Sequence, residues 1–254
     1  MGLKIKHFVV FITIVCGISC RDSSTSLSEI TSTQTSIDSS LDSADTINEF
    51  IAPYRKRLND VLDSTLAYAP YNIGKEDGQF NTSEGNLLAD IIFSEAQPIF
   101  KSRTGKDIDF VVFNHGGIRS AISKGNVSAR TAFEVMPFDN SIVVVALDGN
   151  TIIEMIDFLR DSGRAHPVSG IQIVLNSDNT LKSLRIQGEP LDLARTYYVA
   201  TSNYLVTGGD NMFFFKKAKD IIDTDYFIRN AIIDYFKRVD TVSALVDDRF
   251  IRLH

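Results

Sequence analysis

The chain has 254 residues, 44% hydrophobic and 23% charged, the make-up of an ordinary globular protein rather than a fibrous or low-complexity one. Its formal net charge of -6, with no basic run, argues against a nucleic-acid backbone as partner. A small anionic ligand stays open, because one arginine in a concave site acts locally against the overall charge.

Residues 1–20 read as an export signal. Lys4 and Lys6 give a basic start, and Phe8 to Ile18 an apolar stretch too short for a comfortable membrane span. Gly17-Ile18-Ser19-Cys20 resembles the lipobox of bacterial lipoproteins, with Gly17 where leucine is usual. Cleavage before Cys20 and lipidation of its sulfur would give an exported, membrane-anchored protein of the periplasm or outer membrane. A plain signal peptide or an uncleaved anchor is the other reading. Cys16 and Cys20 are the only cysteines, so the body offers neither a disulfide nor a thiol nucleophile. Residues 21–45 are dominated by Ser, Thr and Asp and bury too little apolar surface to offset ordering entropy. They read as a disordered tether.

The body covers residues 46–254. Ile47, Phe50, Ile51, Tyr54, Leu58, Val61 and Leu62 recur at helical spacing and predict an amphipathic helix. An extended piece follows around Leu66 to Ile73, then a helix opened by Ser83-Glu84-Gly85-Asn86, with Pro98 near its far end. Ile108 to Phe113 reads as a buried strand running into Asn114-His115-Gly116-Gly117-Ile118-Arg119, where two glycines permit a tight turn or close approach to a ligand. Val127 to Met136 is ambiguous. Ser141 to Leu147 is a strand, and Asp148-Gly149-Asn150 turns into a helix carrying Ile152 to Leu159. Strands are predicted at Ile171 to Leu175, Leu181 to Ile186 and Thr196 to Ala200, a helix at Phe227 to Phe236, and a closing strand at Phe250 to Leu253. Interspersed helices and hairpin-like strands predict a mixed α/β (α+β) domain.

The histidines are His7, His115, His166 and His254, with no pair at metal-ligand spacing and no H-E-x-x-H or D-x-H cluster, so no metal is expected in this chain. No G-x-S-x-G elbow or phosphate loop occurs, although a Ser-His-Asp triad is left open by sequence alone. Binding is better supported than autonomous catalysis. Phe138 follows Pro137, and Tyr204 precedes Gly208-Gly209; aromatic rings at turns can clamp a nucleobase, or they can simply fill the core. Arg119 suits a phosphate or ribose, or else a surface ion pair. Asp210 suits a vicinal diol or a cap, and Asn114 a base edge or a turn.

Four segments together are specific. Glu84-Gly85-Asn86-Leu87, Asn114 to Arg119, Met136-Pro137-Phe138 and Asn203 to Asp210 occur in the order and approximate spacing that resembles the C-terminal domain of the 5'-nucleotidase family. Gly188-Glu189-Pro190-Leu191-Asp192 and Thr196-Tyr197 look similar too, so the resemblance runs from about Ile73 to the C-terminus. It implies a layered mixed-sheet domain supplying a substrate-specificity pocket. By that resemblance Phe138 and Tyr204 stack on the base, Asn114 lies near it, Arg119 near ribose and phosphate, and Asp210 on the ribose hydroxyls; Gly117 belongs to the same substrate-binding set. Tyr204 stands where phenylalanine is common.

Two departures bear on function. The family's metallophosphatase half, with its two divalent metals and catalytic His-Asp pair, has no counterpart before Thr46, and no basic residue lies between Gly78 and Glu84 where the family has an arginine. The expected function is therefore the nucleotide-recognition subunit of a split 5'-nucleotidase, inactive alone, with a separate metallophosphatase chain hydrolysing nucleoside monophosphates. A lipoprotein that captures nucleosides or nucleotides without hydrolysis is the second reading, and a scaffold that binds none the third.

Overall fold

The computed structural model describes residues 4, 5, 7, 9, 10, 12 and 27–253. Cys20 and its cleavage region lie outside the described residues. The chain divides into two units, Met1–Phe50 and Ile51–His254. In the first, residues 27–44 carry no helix or strand and every one is exposed. Helix α1 (Asp45–Leu62) straddles the division. The helix forms where its periodicity predicts, but none of its residues is buried, so its apolar side adds nothing to the core. At its far end Arg130 bonds to Asn59 (2.9 Å) and pairs with Asp63 just beyond it.

The second unit is layered. Its central sheet is built from β2 (Phe110–Val112), β4 (Ser141–Asp148), β5 (Val168–Ser169), β9 (Thr196–Ser202) and β10 (Ile221–Phe227), in the order β10-β4-β9-β2-β5. The β2 and β9 strands run parallel, and the other neighbours antiparallel. β4 is buried over seven of its eight residues, which explains its unbroken Ile-Val-Val-Val-Ala-Leu run. A second sheet joins β6 (Ile171–Leu175), β7 (Leu181–Ile186), β8 (Glu189–Pro190) and β11 (Phe250–Arg252), in the order β11-β6-β7-β8. A two-stranded ribbon pairs β1 (Thr65–Ala69) with β3 (Gly125–Ser128).

Helix α2 (Ser83–Thr104) packs on the central sheet through Leu87, Leu88, Ile91, Ile92, Ala96 and Phe100. Thr82 caps it, its hydroxyl accepting from the Gly85 N–H at 3.1 Å. It continues past Pro98 and stops at Gly105, whose φ of 72° suits glycine. Val127 to Met136 resolves into the end of β3 and helix α3 (Ala129–Val135). The Asp148 turn opens helix α4 (Gly149–Asp161), with Asp148 Oδ1 accepting from the Thr151 N–H at 3.0 Å. Helix α5 (Asn203–Val206) follows β9 directly, and helix α6 (Ile228–Arg238) packs against α2 and α3.

Candidate functional site

The three turns singled out in the sequence meet at one cavity of about 410 Å³. Asn114, Gly117, Arg119, Phe138, Tyr204 and Asp210 all line it. The first turn leaves the buried end of β2, which pairs in parallel with β9, the strand that delivers Tyr204 and Asp210. That pairing brings together residues nearly a hundred positions apart.

Local chemistry holds each turn. Past Phe113 the chain forms a single 3₁₀ turn, His115–Gly117, and the Arg119 N–H donates to the Val135 carbonyl at 2.9 Å. A Cβ on Gly116 would lie 3.1 Å from Asp210 Oδ2, and one on Gly117 3.1 Å from Asn114 Oδ1. Glycine thus lets both polar side chains approach the backbone. On the second turn, Arg229 donates to the Phe138 carbonyl at 3.3 Å and to Asp139 Oδ1 at 2.5 Å, fixing the loop that presents the Phe138 ring. The third turn begins at Ser202, whose hydroxyl accepts from the Leu205 N–H. Gly208 has a φ of 93°, and a Cβ on Gly209 would lie 2.5 Å from the Tyr204 ring, so that ring rests on bare backbone.

Phe138 and Tyr204 are 38% and 44% exposed, which makes them cavity walls rather than core filler. The Arg119 guanidinium carbon lies 5.7 Å from the centre of the Phe138 ring, and Nη1 donates to the Gly116 carbonyl at 3.3 Å. Asp210, at a φ of 50°, is bound from two sides. Asn114 Nδ2 donates to Oδ2 at 2.6 Å, and the Tyr204 hydroxyl donates to Oδ1 at 3.1 Å. The Asp210 N–H returns a bond to the Tyr204 oxygen at 3.3 Å. Aromatic faces, one carboxylate, an amide and a guanidinium therefore converge on a space of small-ligand size.

Sequence reasoning assigned no role to several contributors. Asn140 and Arg164 line the same cavity, and Arg229 acts behind it. Arg164 and Asp210 also border a second cavity of about 400 Å³ that includes His166. His166 is buried, and its Nδ1 accepts the His115 N–H at 3.2 Å; burial is the main cause that pushes its pKa down to about 4. Asn140 alone carried a signal, two residues beyond Phe138; the others reach the site only through the fold. Lys75, the basic residue nearest the Gly78 to Glu84 stretch, donates to the Ile118 carbonyl at 2.8 Å and does not line the cavity. Among the described residues no group of three or more His, Cys, Asp or Glu side chains could hold a metal ion.

A family model described as the 5'-nucleotidase C-terminal domain matches residues 72–218. Protein UshA of Escherichia coli K12 is 38% identical over 112 residues, covering 42% of this chain and 20% of that protein. The trifunctional nucleotide phosphoesterase YfkN of Bacillus subtilis 168 is 27% identical over 214 residues, 77% of this chain and 14% of its own length. Among solved structures, a 5'-nucleotidase precursor from Thermus thermophilus superposes with a TM-score of 0.69 at 25% identity, over 82% of this chain and 43% of that one. The chain thus spans well under half the length of these relatives.

Proposed function

Because the chain belongs to the 5'-nucleotidase C-terminal domain family, we propose that its cavity recognises nucleoside monophosphates for a metallophosphatase carried on a separate chain. The observation that carries this is the convergence of Phe138, Tyr204, Asn114, Arg119 and Asp210 on one cavity. The two rings hold the base, Asn114 lies beside it, Asp210 accepts from the sugar hydroxyls, and Arg119 faces the phosphate side. These residues bind and orient; the two divalent metals that would activate water and polarise the phosphoryl group belong to the partner. We place the protein outside the cytoplasm, held to a bacterial membrane through lipid on Cys20.

Titration of the protein with AMP and adenosine tests the reading. Saturable binding of both, with AMP about tenfold tighter through Arg119, is expected. Absence of binding to either ligand sinks it. A second reading, capture without hydrolysis, draws on Lys75, whose ammonium is committed to a backbone carbonyl rather than to the cavity. Equal affinity for AMP and adenosine would favour that reading.

A further inference from the structure

Asp210 is the one acid among the described residues that line the cavity. A carboxylate is acceptor-only, and a ribose diol seats on it by donating one hydroxyl to each oxygen. Here both oxygens already accept a bond, Oδ2 from Asn114 at 2.6 Å and Oδ1 from the Tyr204 hydroxyl at 3.1 Å. The tyrosine is locked in that position. Its oxygen takes the Asp210 N–H at 3.3 Å, and its ring lies against Gly209, where a Cβ would come within 2.5 Å. A phenylalanine at 204 would keep the ring and leave Oδ1 free.

We propose that the Tyr204 hydroxyl sets the sugar preference of this pocket: by occupying Asp210 Oδ1 it weakens recognition of a vicinal diol, so 2'-deoxynucleosides bind nearly as well as ribonucleosides. The inference rests on the nucleotide reading above and adds to it the sugar class. A 3'-hydroxyl can still donate to a remaining lone pair of the carboxylate. The second hydroxyl of a diol must share an oxygen with Tyr204 or displace it, and gains less than it would beside an unengaged oxygen. Stacking of the base is unaffected, because the hydroxyl sits at the edge of the ring.

The test is calorimetric titration of the full chain and its Tyr204→Phe variant with adenosine and 2'-deoxyadenosine. In the natural protein the two dissociation constants should agree within about threefold. Tyr204→Phe should tighten adenosine by roughly threefold to tenfold, the worth of one freed hydrogen bond, and move 2'-deoxyadenosine by less than about twofold. In a Tyr204→Phe, Asp210→Ala double variant the discrimination should vanish, assigning it to the carboxylate. A ratio already above about tenfold in the natural protein, or one unmoved by Tyr204→Phe while both ligands bind, overturns the inference alone. If neither nucleoside binds either protein, the nucleotide reading falls and the inference with it.

Discussion

At the scale of single residues, the cavity separates side chains that line it from those that position them. Phe138 and Tyr204 are half-exposed walls, so alanine at either should weaken adenosine by about tenfold or more. Each ring is more than half buried, so the melting temperature should fall by several degrees while unfolding stays cooperative. Arg229 is different. It does not line the cavity, yet it holds the Phe138 carbonyl and the Asp139 carboxylate. Arg229→Ala should weaken AMP and adenosine by the same factor, since it loosens the ring's loop rather than removing a phosphate contact; an AMP-specific loss would contradict that role. The sequence displayed the wall residues, because Pro137 and Gly208-Gly209 mark turns beside aromatics. It could not display Arg229 or Arg164, which are ordinary surface arginines until the fold brings them to the other turns.

At the scale of elements, success followed burial. The run Ile142 to Leu147 has every side chain inside, and its four successive β-branched residues before the Asp148-Gly149 turn suit a buried strand. The Ile221–Phe227 strand escaped notice for the opposite reason. It is an edge strand of mixed polarity, and Asp225 interrupts it with a φ of 54° where the register with β4 shifts. Arg103 stabilises that irregularity from α2, donating to the Asp223 and Thr224 carbonyls at 2.7 and 3.0 Å. Helix α1 shows that periodicity predicts conformation and not cover, for its apolar positions recur correctly and none is buried. The glycines separate in the same way. A Cβ on Gly149 would meet the Leu193 backbone at 2.5 Å, whereas the atoms nearest one on Gly209 all belong to the Tyr204 ring. Gly149→Ala should therefore cost about 1–3 kcal/mol in urea unfolding. Gly209→Ala should spare most of that stability but displace the ring and abolish nucleoside binding.

At the scale of the whole molecule, two buried groups set opposing responses to pH. Glu84 lies inside the first turn of α2 with both carboxyl oxygens unbonded, and burial pushes its pKa up to about 8. The folded state then keeps a proton that the unfolded chain releases from about pH 4.5, so this group's contribution to stability falls as pH rises between those values. His166, depressed to about 4, runs the other way: the unfolded chain takes up a proton below pH 6.5 that the folded state refuses, and stability is lost as pH falls from 6.5 to 4. Between pH 4.5 and 6.5 the two oppose each other, leaving Glu84 to dominate above. Urea unfolding should show a decline on the order of 2 kcal/mol between pH 6.5 and 8, removed in Glu84→Gln and retained in His166→Phe.

The bond from Asn114 to Asp210 joins positions 96 apart in sequence, across the parallel pairing of β2 with β9. Contacts of that span form only after a long loop has closed, so no local segment presents the binding surface by itself. A partly folded chain has the rings and the carboxylate but not their juxtaposition. On the proposed function, a nucleoside is a ligand of the finished state alone and pulls the folding equilibrium toward it. At a free concentration one hundred times its dissociation constant it should add about 2.7 kcal/mol to the unfolding free energy. Its presence would protect the chain from proteolysis in proportion, making the cavity a sensor of completed folding as well as a recognition site.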